Sequence, residues 1–116
     1  MKFDAGKAPI DLIPSEALIE IANVFKFGAD KYGRFNWRND GDNTSHCRTY
    51  ASIQRHLTAW LANEDNDPES GARHLAHAAT QLMILMIHTA EHPECDDRYK
   101  PKEVTVKPTT KTKGAK

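Results

Sequence analysis

The sequence predicts an all-α protein. Three segments carry apolar residues at the helical period, and no segment shows the sustained alternation with β-branched residues that is typical of a strand. The chain has 116 residues, of which 39% are hydrophobic and 28% are charged. This length suits one small domain rather than two. We therefore expect a single helical domain over residues 1–97, followed by a tail over residues 98–116.

The first predicted helix follows a loop that we expect to be ordered. Gly6, Pro9 and Pro14 lie within nine residues, which favours a loop over the first 13 residues. Pro14 or Ser15 begins the helix as a first-turn proline or a capping hydroxyl, and Gly33 ends it. The apolar side chains of this helix share one face: Leu18, Ile21, Ala22 and Phe25.

The second and third predicted helices are separated by a short acidic turn. The second helix spans about residues 46–62, after a loop rich in Gly, Asn and Asp at residues 33–45. The sequence Asp-Pro-Glu-Ser at residues 67–70 combines a capping acid, a first-position proline and an acid in the first turn. It predicts a third helix from residue 68 to about residue 92.

The third predicted helix is apolar over well over half of its circumference. Leu75, Leu82 and Ile87 are examples of the apolar residues that cover it. Two other helices and a loop can hardly cover so much apolar surface, and a core built from about 95 residues is small. We therefore expect this helix to pack against another subunit of a homo-oligomer.

Charge is unevenly distributed along the chain. Sixteen Lys and Arg residues balance sixteen Asp and Glu residues. Residues 1–97 nevertheless hold nine basic and fifteen acidic side chains (net −6), whereas residues 98–116 hold seven and one (net +6). The acidic body argues against a duplex-binding module, and the composition of the tail predicts disorder. The basic tail alone could contact nucleic acid weakly.

The cysteines and the hydropathy pattern predict a cytoplasmic protein. Cys47 and Cys95 form no metal-binding or redox pair, and a single possible bridge is weak evidence for secretion. No charged-then-apolar signal precedes the domain. The longest apolar run, at residues 82–87, is far below the roughly 18 residues of a membrane helix. We expect no membrane partner.

A polar stripe crosses the apolar third helix. At 100° per residue its members fall within an arc of about 60°. A solvent-facing stripe ordinarily carries Lys and Glu, whereas imidazoles coordinate metals or transfer protons. Simple exposure remains the alternative for the two histidines near the helix end, where cations suit the dipole. The stripe consists of His74, His77, Gln81, His88 and His92.

Three of the histidines are predicted to form a metal site beside the acidic turn. His56 ends the second helix, and the acidic turn leads directly into His74 and His77. A divalent ion, Mg²⁺ or Mn²⁺, held by these imidazoles and Asp65 could lower the pKa of bound water and polarise a phosphoryl oxygen. These four residues are our candidate catalytic and metal-ligating groups. The alternative is that Asp67 only caps a helix and His56 only packs.

The candidate nucleotide-binding residues lie in and around the glycine-rich loop, beside Gly6 and on the second predicted helix. Cations on flexible backbone suit phosphates, and an aromatic platform with an amide suits a nucleobase. Trp37 could instead be a core residue, and no Walker or dinucleotide-binding glycine motif is present. The candidates are Lys7, Lys31, Arg34, Asn36, Trp37 and Arg55.

Three sequence blocks carry a resemblance to a known family: KFDAGKAPIDLIPSEAL, VFKFGADKYGRFNW and RHLTAWLANEDNDPESGARHLAHAATQL. They resemble the largely phage-borne dATP/dGTP diphosphohydrolase N-terminal domain family over about residues 2–90. The resemblance implies an all-α domain of viral origin that acts on purine deoxynucleotides in the cytoplasm of an infected bacterium. It also implies a distant likeness to all-α nucleoside triphosphate pyrophosphatases, although their E-x-x-E and E-x-x-D pairs are absent.

The sequence thus favours a phage nucleotide-processing enzyme that hydrolyses phosphate from purine deoxynucleoside triphosphates with a divalent metal. One alternative is a non-catalytic protein that sequesters a nucleotide signal of host defence within an oligomer. Another is a structural helical domain whose basic tail contacts nucleic acid.

Overall fold

The computed structural model describes residues 6–39 and 44–102. Within these ranges the chain is all-helical, as predicted, and it has no strand beyond one isolated bridge. Two single 3-10 turns, Ile10–Leu12 and Pro93–Cys95, flank the main helices. The four α-helices are α1 (Ser15–Tyr32), α2 (Asn36–Asn39), α3 (His46–Leu61) and α4 (His74–Glu91).

Helix α4 is the centre of the described fold. It packs most extensively against α3 and also contacts α1 and α2. Helix α1 begins directly after Pro14 and ends at Gly33, whose N–H donates to the Ala29 carbonyl at 2.8 Å. Helix α3 begins at a cap in which the Ser45 side chain accepts a hydrogen bond from the Arg48 N–H. These ends lie within a residue of the predicted ones.

The start of α4 differs from the prediction by six residues. Asp67 does not cap a helix, because its side chain and carbonyl accept hydrogen bonds from the N–H groups of Ser70 (3.0 Å) and Gly71 (2.7 Å). Gly71 takes a φ of 78°, a left-handed conformation that interrupts any helix. Asn66 and Arg73 then form an antiparallel bridge. Residues 67–73 are therefore a closed turn, and α4 begins at His74.

Two further regions differ from the prediction or lie outside the described residues. The predicted loop at residues 33–45 contains the short helix α2, and the loop's residues 40–43 are not described. Residues 98–102 have no regular secondary structure. The remainder of the predicted tail, residues 103–116, and the first five residues lie outside the described residues.

Helix α4 buries most of the histidines of its polar stripe and leaves several of its large apolar residues exposed. His74, His77 and His88 are buried, so the solvent-exposed alternative for His88 is wrong. Met86 on the same helix is 70% exposed, and Leu82 is 49% exposed. Among the described residues only four apolar side chains count as buried: Val24, Ile53, Ala76 and Ala78. The packing of α4 against another subunit stays a prediction.

None of the described helices combines the length and the hydropathy needed to cross a bilayer.

Candidate functional site

Three imidazoles from two helices meet beside the turn that joins α3 to α4. His56 lies in the last third of α3, and His74 and His77 lie in the first turn of α4. The backbone of the turn fixes this meeting, because the His74 N–H donates to the Asp65 carbonyl at 2.8 Å. The three histidines that the sequence nominated are therefore brought together. We call them the imidazole cluster.

Within the cluster, His74 is held between a carboxylate and a second ring. Its Nε2 lies 2.8 Å from Oε1 of Glu64, and its Nδ1 lies 2.9 Å from Nδ1 of His56. A carboxylate only accepts, so Nε2 of His74 carries a proton. The two Nδ1 atoms share one proton, so one of these rings donates and the other accepts. A ring nitrogen that carries no proton can coordinate a metal or accept a proton.

His77 joins the cluster by stacking and by a contact with a hydroxyl. Its ring is parallel to that of His56, with centroids 4.6 Å apart. Its Nε2 lies 2.6 Å from Oγ of Ser70 and 3.8 Å from Oδ2 of Asp67. The oxygen of the Ser70 hydroxyl also accepts a hydrogen bond from the Ala72 N–H at 3.1 Å. The hydroxyl proton remains available to donate to an acceptor. The turn thus holds a hydroxyl and a carboxylate against the imidazole.

Burial keeps two of these rings uncharged at neutral pH. It lowers the pKa of His56, and the neighbouring His77 and His74 rings lower that pKa further because a second positive charge would be repelled. Burial also lowers the pKa of His77, against the opposing effect of the Asp67 carboxylate. Neutral imidazole is the form that binds metals and accepts protons.

Asp67 is ionised within the same cluster. Burial disfavours its charge, yet hydrogen bonds from the Ser70 N–H and hydroxyl, and then the nearby imidazoles, bring the pKa of its carboxyl below the ordinary value. A half-buried carboxylate therefore faces neutral imidazoles.

His56, Asp67 and His74 form a group that could hold a metal ion. One ligand atom from each lies within 4.8 Å of the others. The predicted ligands Asp65 and His77 are not members of this group, although His77 contacts His56. Two imidazole nitrogens and one carboxylate oxygen suit a first-row transition ion such as Mn²⁺, whereas Mg²⁺ prefers an all-oxygen shell. The donor set fits a divalent ion, and it fits Mn²⁺ better than Mg²⁺.

A groove of about 1100 Å³ runs between α4 and the segment formed by α1 and α2. Four predicted nucleotide-binding residues line it: Lys31, Arg34, Asn36 and Trp37. The other two, Lys7 and Arg55, are exposed and are not among its lining residues. His77 lines the groove as well, so it is the imidazole that links the cluster to the groove.

The groove has a cationic end close to the cluster. The Lys31 ammonium donates to Oε2 of Glu69 at 3.0 Å, and Glu69 belongs to the same turn as Asp67 and Ser70. Glu69 raises the pKa of Lys31 by this hydrogen bond and by its charge. Arg34 lies over the Phe35 ring at 5.6 Å. Lys31 therefore places a cation on the side of the groove next to the turn.

The opposite end of the groove is aromatic. The Trp37 ring packs against Phe25 and His88, with centroids 5.6 Å and 5.9 Å away. Nε2 of His88 donates to the Trp37 carbonyl at 2.7 Å. Arg38, in the same short helix, is engaged in a two-pronged ion pair with Glu91. Trp37 is therefore half-buried against its neighbours and also lines the groove.

Several residues of the site were not selected as ligands from the sequence. In the sequence, Asp67 and Ser70 fit the pattern of a helix start, which assigns them a capping role. Glu64 is one of several carboxylates in the acidic turn, and nothing in the sequence distinguishes it from the others. The only available signal was the spacing of the turn, which brings its carboxylates close to the start of the next helix. Thr80, which lines the groove, gave no signal because it lies outside the polar stripe.

The sequence is similar to that of known proteins. The family model described as dATP/dGTP diphosphohydrolase, N-terminal, matches residues 1–98. A protein of Salmonella phage PMBT28 named dATP/dGTP diphosphohydrolase is 38% identical over 98 residues, which is 84% of this chain. The chain spans 32% of that relative's length. No solved structure matches.

Proposed function

Because the chain belongs to the dATP/dGTP diphosphohydrolase N-terminal family, we propose that it is a phage protein that hydrolyses phosphate from purine deoxynucleoside triphosphates. The observation that carries this proposal is the position of His77. It stacks on the imidazole cluster and also lines the groove, so a ligand in the groove lies beside the groups that could hold a divalent ion.

Each group at the junction has a chemical task in this proposal. Lys31 and Arg34 hold the phosphates through charge-assisted hydrogen bonds. His77, which burial keeps neutral, accepts a proton from the attacking water. Ser70 and Asp67 orient His77 through the 2.6 Å and 3.8 Å contacts.

His56, Asp67 and His74 would hold the divalent ion. When bound, such an ion polarises a phosphoryl oxygen and lowers the pKa of bound water. Glu64 fixes the orientation of His74 through its Nε2, as outer carboxylates do for metal-binding histidines. The donor set supports Mn²⁺ as the working ion.

Non-catalytic sequestration of a nucleotide is the second candidate. It is favoured by one observation, that cations and an aromatic ring line the groove without belonging to the group that could hold a metal. The groove, its cations and Trp37 can bind a nucleotide without a metal. In this reading the imidazole cluster only stabilises the turn.

Incubation of the purified protein with each deoxynucleoside triphosphate and Mn²⁺ or Mg²⁺, followed by chromatography, separates the two candidates. Hydrolysis predicts product with dATP or dGTP that falls at least about 100-fold in His77→Ala, the magnitude typical of a lost acid–base group. The matched control is His92→Ala, which removes an imidazole that follows the last residue of the same helix, outside the groove, and keeps the rate.

The result that contradicts hydrolysis is equally clear. Absence of turnover with every nucleotide and both metals, with unchanged nucleotide recovered after the protein is denatured, assigns the chain to sequestration.

A further inference from the structure

Two buried polar groups in the groove have no partner in the described chain. The Thr80 hydroxyl and Nδ1 of His88 are both buried without a hydrogen bond, and both side chains line the groove. Each residue is only 2% exposed. Buried polar groups in folded proteins are nearly always paired, and an unpaired one costs stability. Their place in the groove indicates that a ligand supplies the missing partners.

The tautomer of His88 defines what this ligand must present. Nε2 donates to the Trp37 carbonyl at 2.7 Å, so it carries the ring proton. Nδ1 of the neutral ring is then a hydrogen-bond acceptor, and it requires a donor. The ring beside it is Trp37, with Phe25 behind. An N–H donor on a flat aromatic ring is the chemistry of a nucleobase with an exocyclic amino group.

The spacing along α4 matches the length of a nucleotide. His77, Thr80 and His88 fall within an arc of about 80° on one face of the helix. Eleven residues separate His77 from His88, which is about 16 Å along the axis. Phosphates at the Lys31 and His77 end would therefore leave the base at the Trp37 and His88 end. Thr80 lies between them, where the sugar would be.

We infer that the groove between α4 and α1–α2 is a nucleoside subsite in which Nδ1 of His88 accepts a hydrogen bond from the exocyclic amino group of a purine and the Thr80 hydroxyl binds the sugar. This inference rests on the proposed nucleotide ligand but not on its hydrolysis. The subsite selects aminopurines over hypoxanthine, because hypoxanthine has no exocyclic amino group and can offer His88 only its ring N1–H, which does not project from the ring as an amino group does.

Binding is measured with deoxynucleoside monophosphates in EDTA, so that neither metal nor turnover enters. Trp37 reports occupancy by fluorescence in a Trp60→Phe background, since Trp60 is 44% exposed on α3 and outside the groove lining. We expect dAMP, dGMP or both to bind at least about 10-fold more tightly than dIMP, which corresponds to about 1.4 kcal/mol. Equal affinity of all three, or no binding of any, overturns the subsite.

Two variants test the residues themselves. Thr80→Val keeps the shape and removes the unpaired hydroxyl, so it should raise the Tm of the free protein and weaken the tightest monophosphate. His88→Leu removes the Nδ1 acceptor together with the donor to the Trp37 carbonyl, so it should abolish the preference over dIMP. The controls are Thr89→Val and His92→Leu, whose side chains already have partners outside the groove; His92→Leu likewise removes a donor to a backbone carbonyl.

A purely structural role for Thr80 and His88 makes the opposite prediction. Thr80→Val would then lower the Tm or leave affinity unchanged, and His88→Leu would keep the preference over dIMP. Either result removes the inference, whereas failure of hydrolysis alone leaves it standing, because these measurements contain no metal and no triphosphate.

Discussion

Glu64 reaches the imidazole cluster only through His74, and this makes it the most informative single residue for the metal. Its carboxylate accepts from Nε2 of His74 at 2.8 Å and so directs Nδ1 toward His56. Loss of such an outer carboxylate typically weakens metal binding by about 10- to 100-fold. Glu64→Gln should therefore weaken Mn²⁺ binding by that factor in a calorimetric titration.

Glu69→Gln is the matched control for this titration. Glu69 lies in the same turn but pairs with Lys31 rather than with an imidazole. It should leave Mn²⁺ affinity within about twofold of the parent protein. Equal losses in both variants would mean that the turn's total charge, and not the Glu64 to His74 contact, governs the affinity.

At this scale the sequence identified residue types better than their partners. His74 and His77 stand out in the sequence because histidines on an apolar helix are unusual, and His56 stands out because it precedes the acidic turn; the structure brings the three together. Asp65 was chosen over Asp67 because an acid before Pro is a common helix cap. The choice between neighbouring carboxylates depends on how the turn closes, and no local pattern encodes that closure.

The turn at residues 67–73 is the element that holds the cluster in place. Gly71 has a φ of 78° and no atom within 4 Å of the position that a Cβ would occupy. A side chain there meets no clash and pays only the cost of the left-handed backbone, about 1–2 kcal/mol. Gly71→Ala should lower the free energy of unfolding by that amount in a urea titration.

Gly28→Ala is the opposite case and serves as the control. Gly28 lies inside α1 with helical backbone and open space around its Cβ position. Alanine there should raise the free energy of unfolding by up to about 1 kcal/mol. If Gly71→Ala is as harmless as Gly28→Ala, the turn does not hold its described conformation.

The helices whose apolar residues recur at the helical period could be predicted from the sequence. The turn before α4, which is closed by hydrogen bonds to Asp67, could not. Helices α1 and α3 follow apolar residues at positions that share one face, bounded by Pro14, Ser45 and Gly33. The Asp-Pro-Glu-Ser sequence satisfies a helix start and a turn equally well. Gly71 decides between them, because its left-handed backbone stops the helix before it begins.

The whole molecule leaves much of α4's apolar side open to solvent. Leu82 and Met86 are exposed, while the same helix buries three imidazoles. A second copy of the chain could cover the exposed residues, and we therefore predict self-association. Light scattering after size-exclusion chromatography should give a mass of at least two chains, and Met86→Lys combined with Leu82→Lys should reduce it to 13.1 kDa.

Tyr99→Lys is the control for the mass measurement. Among the described residues, Tyr99 is the most exposed of the large hydrophobic side chains, at 86%, and it lies beyond α4. It should leave the mass unchanged, and circular dichroism should show that all variants retain their helices. A single-chain mass for the parent protein at every concentration contradicts the prediction of self-association.

The position of the metal site is tested most directly by the rate of dATP and dGTP hydrolysis with Mn²⁺ in two adjacent variants. Asp67 belongs to the group that could hold the ion, whereas the Asp65 side chain is exposed and lies outside this group, and its carbonyl accepts from the His74 N–H. We expect Asp67→Asn to lose at least about 100-fold in rate, while Asp65→Asn stays within a few-fold of the parent protein. Loss in Asp65→Asn with full activity in Asp67→Asn would contradict this expectation.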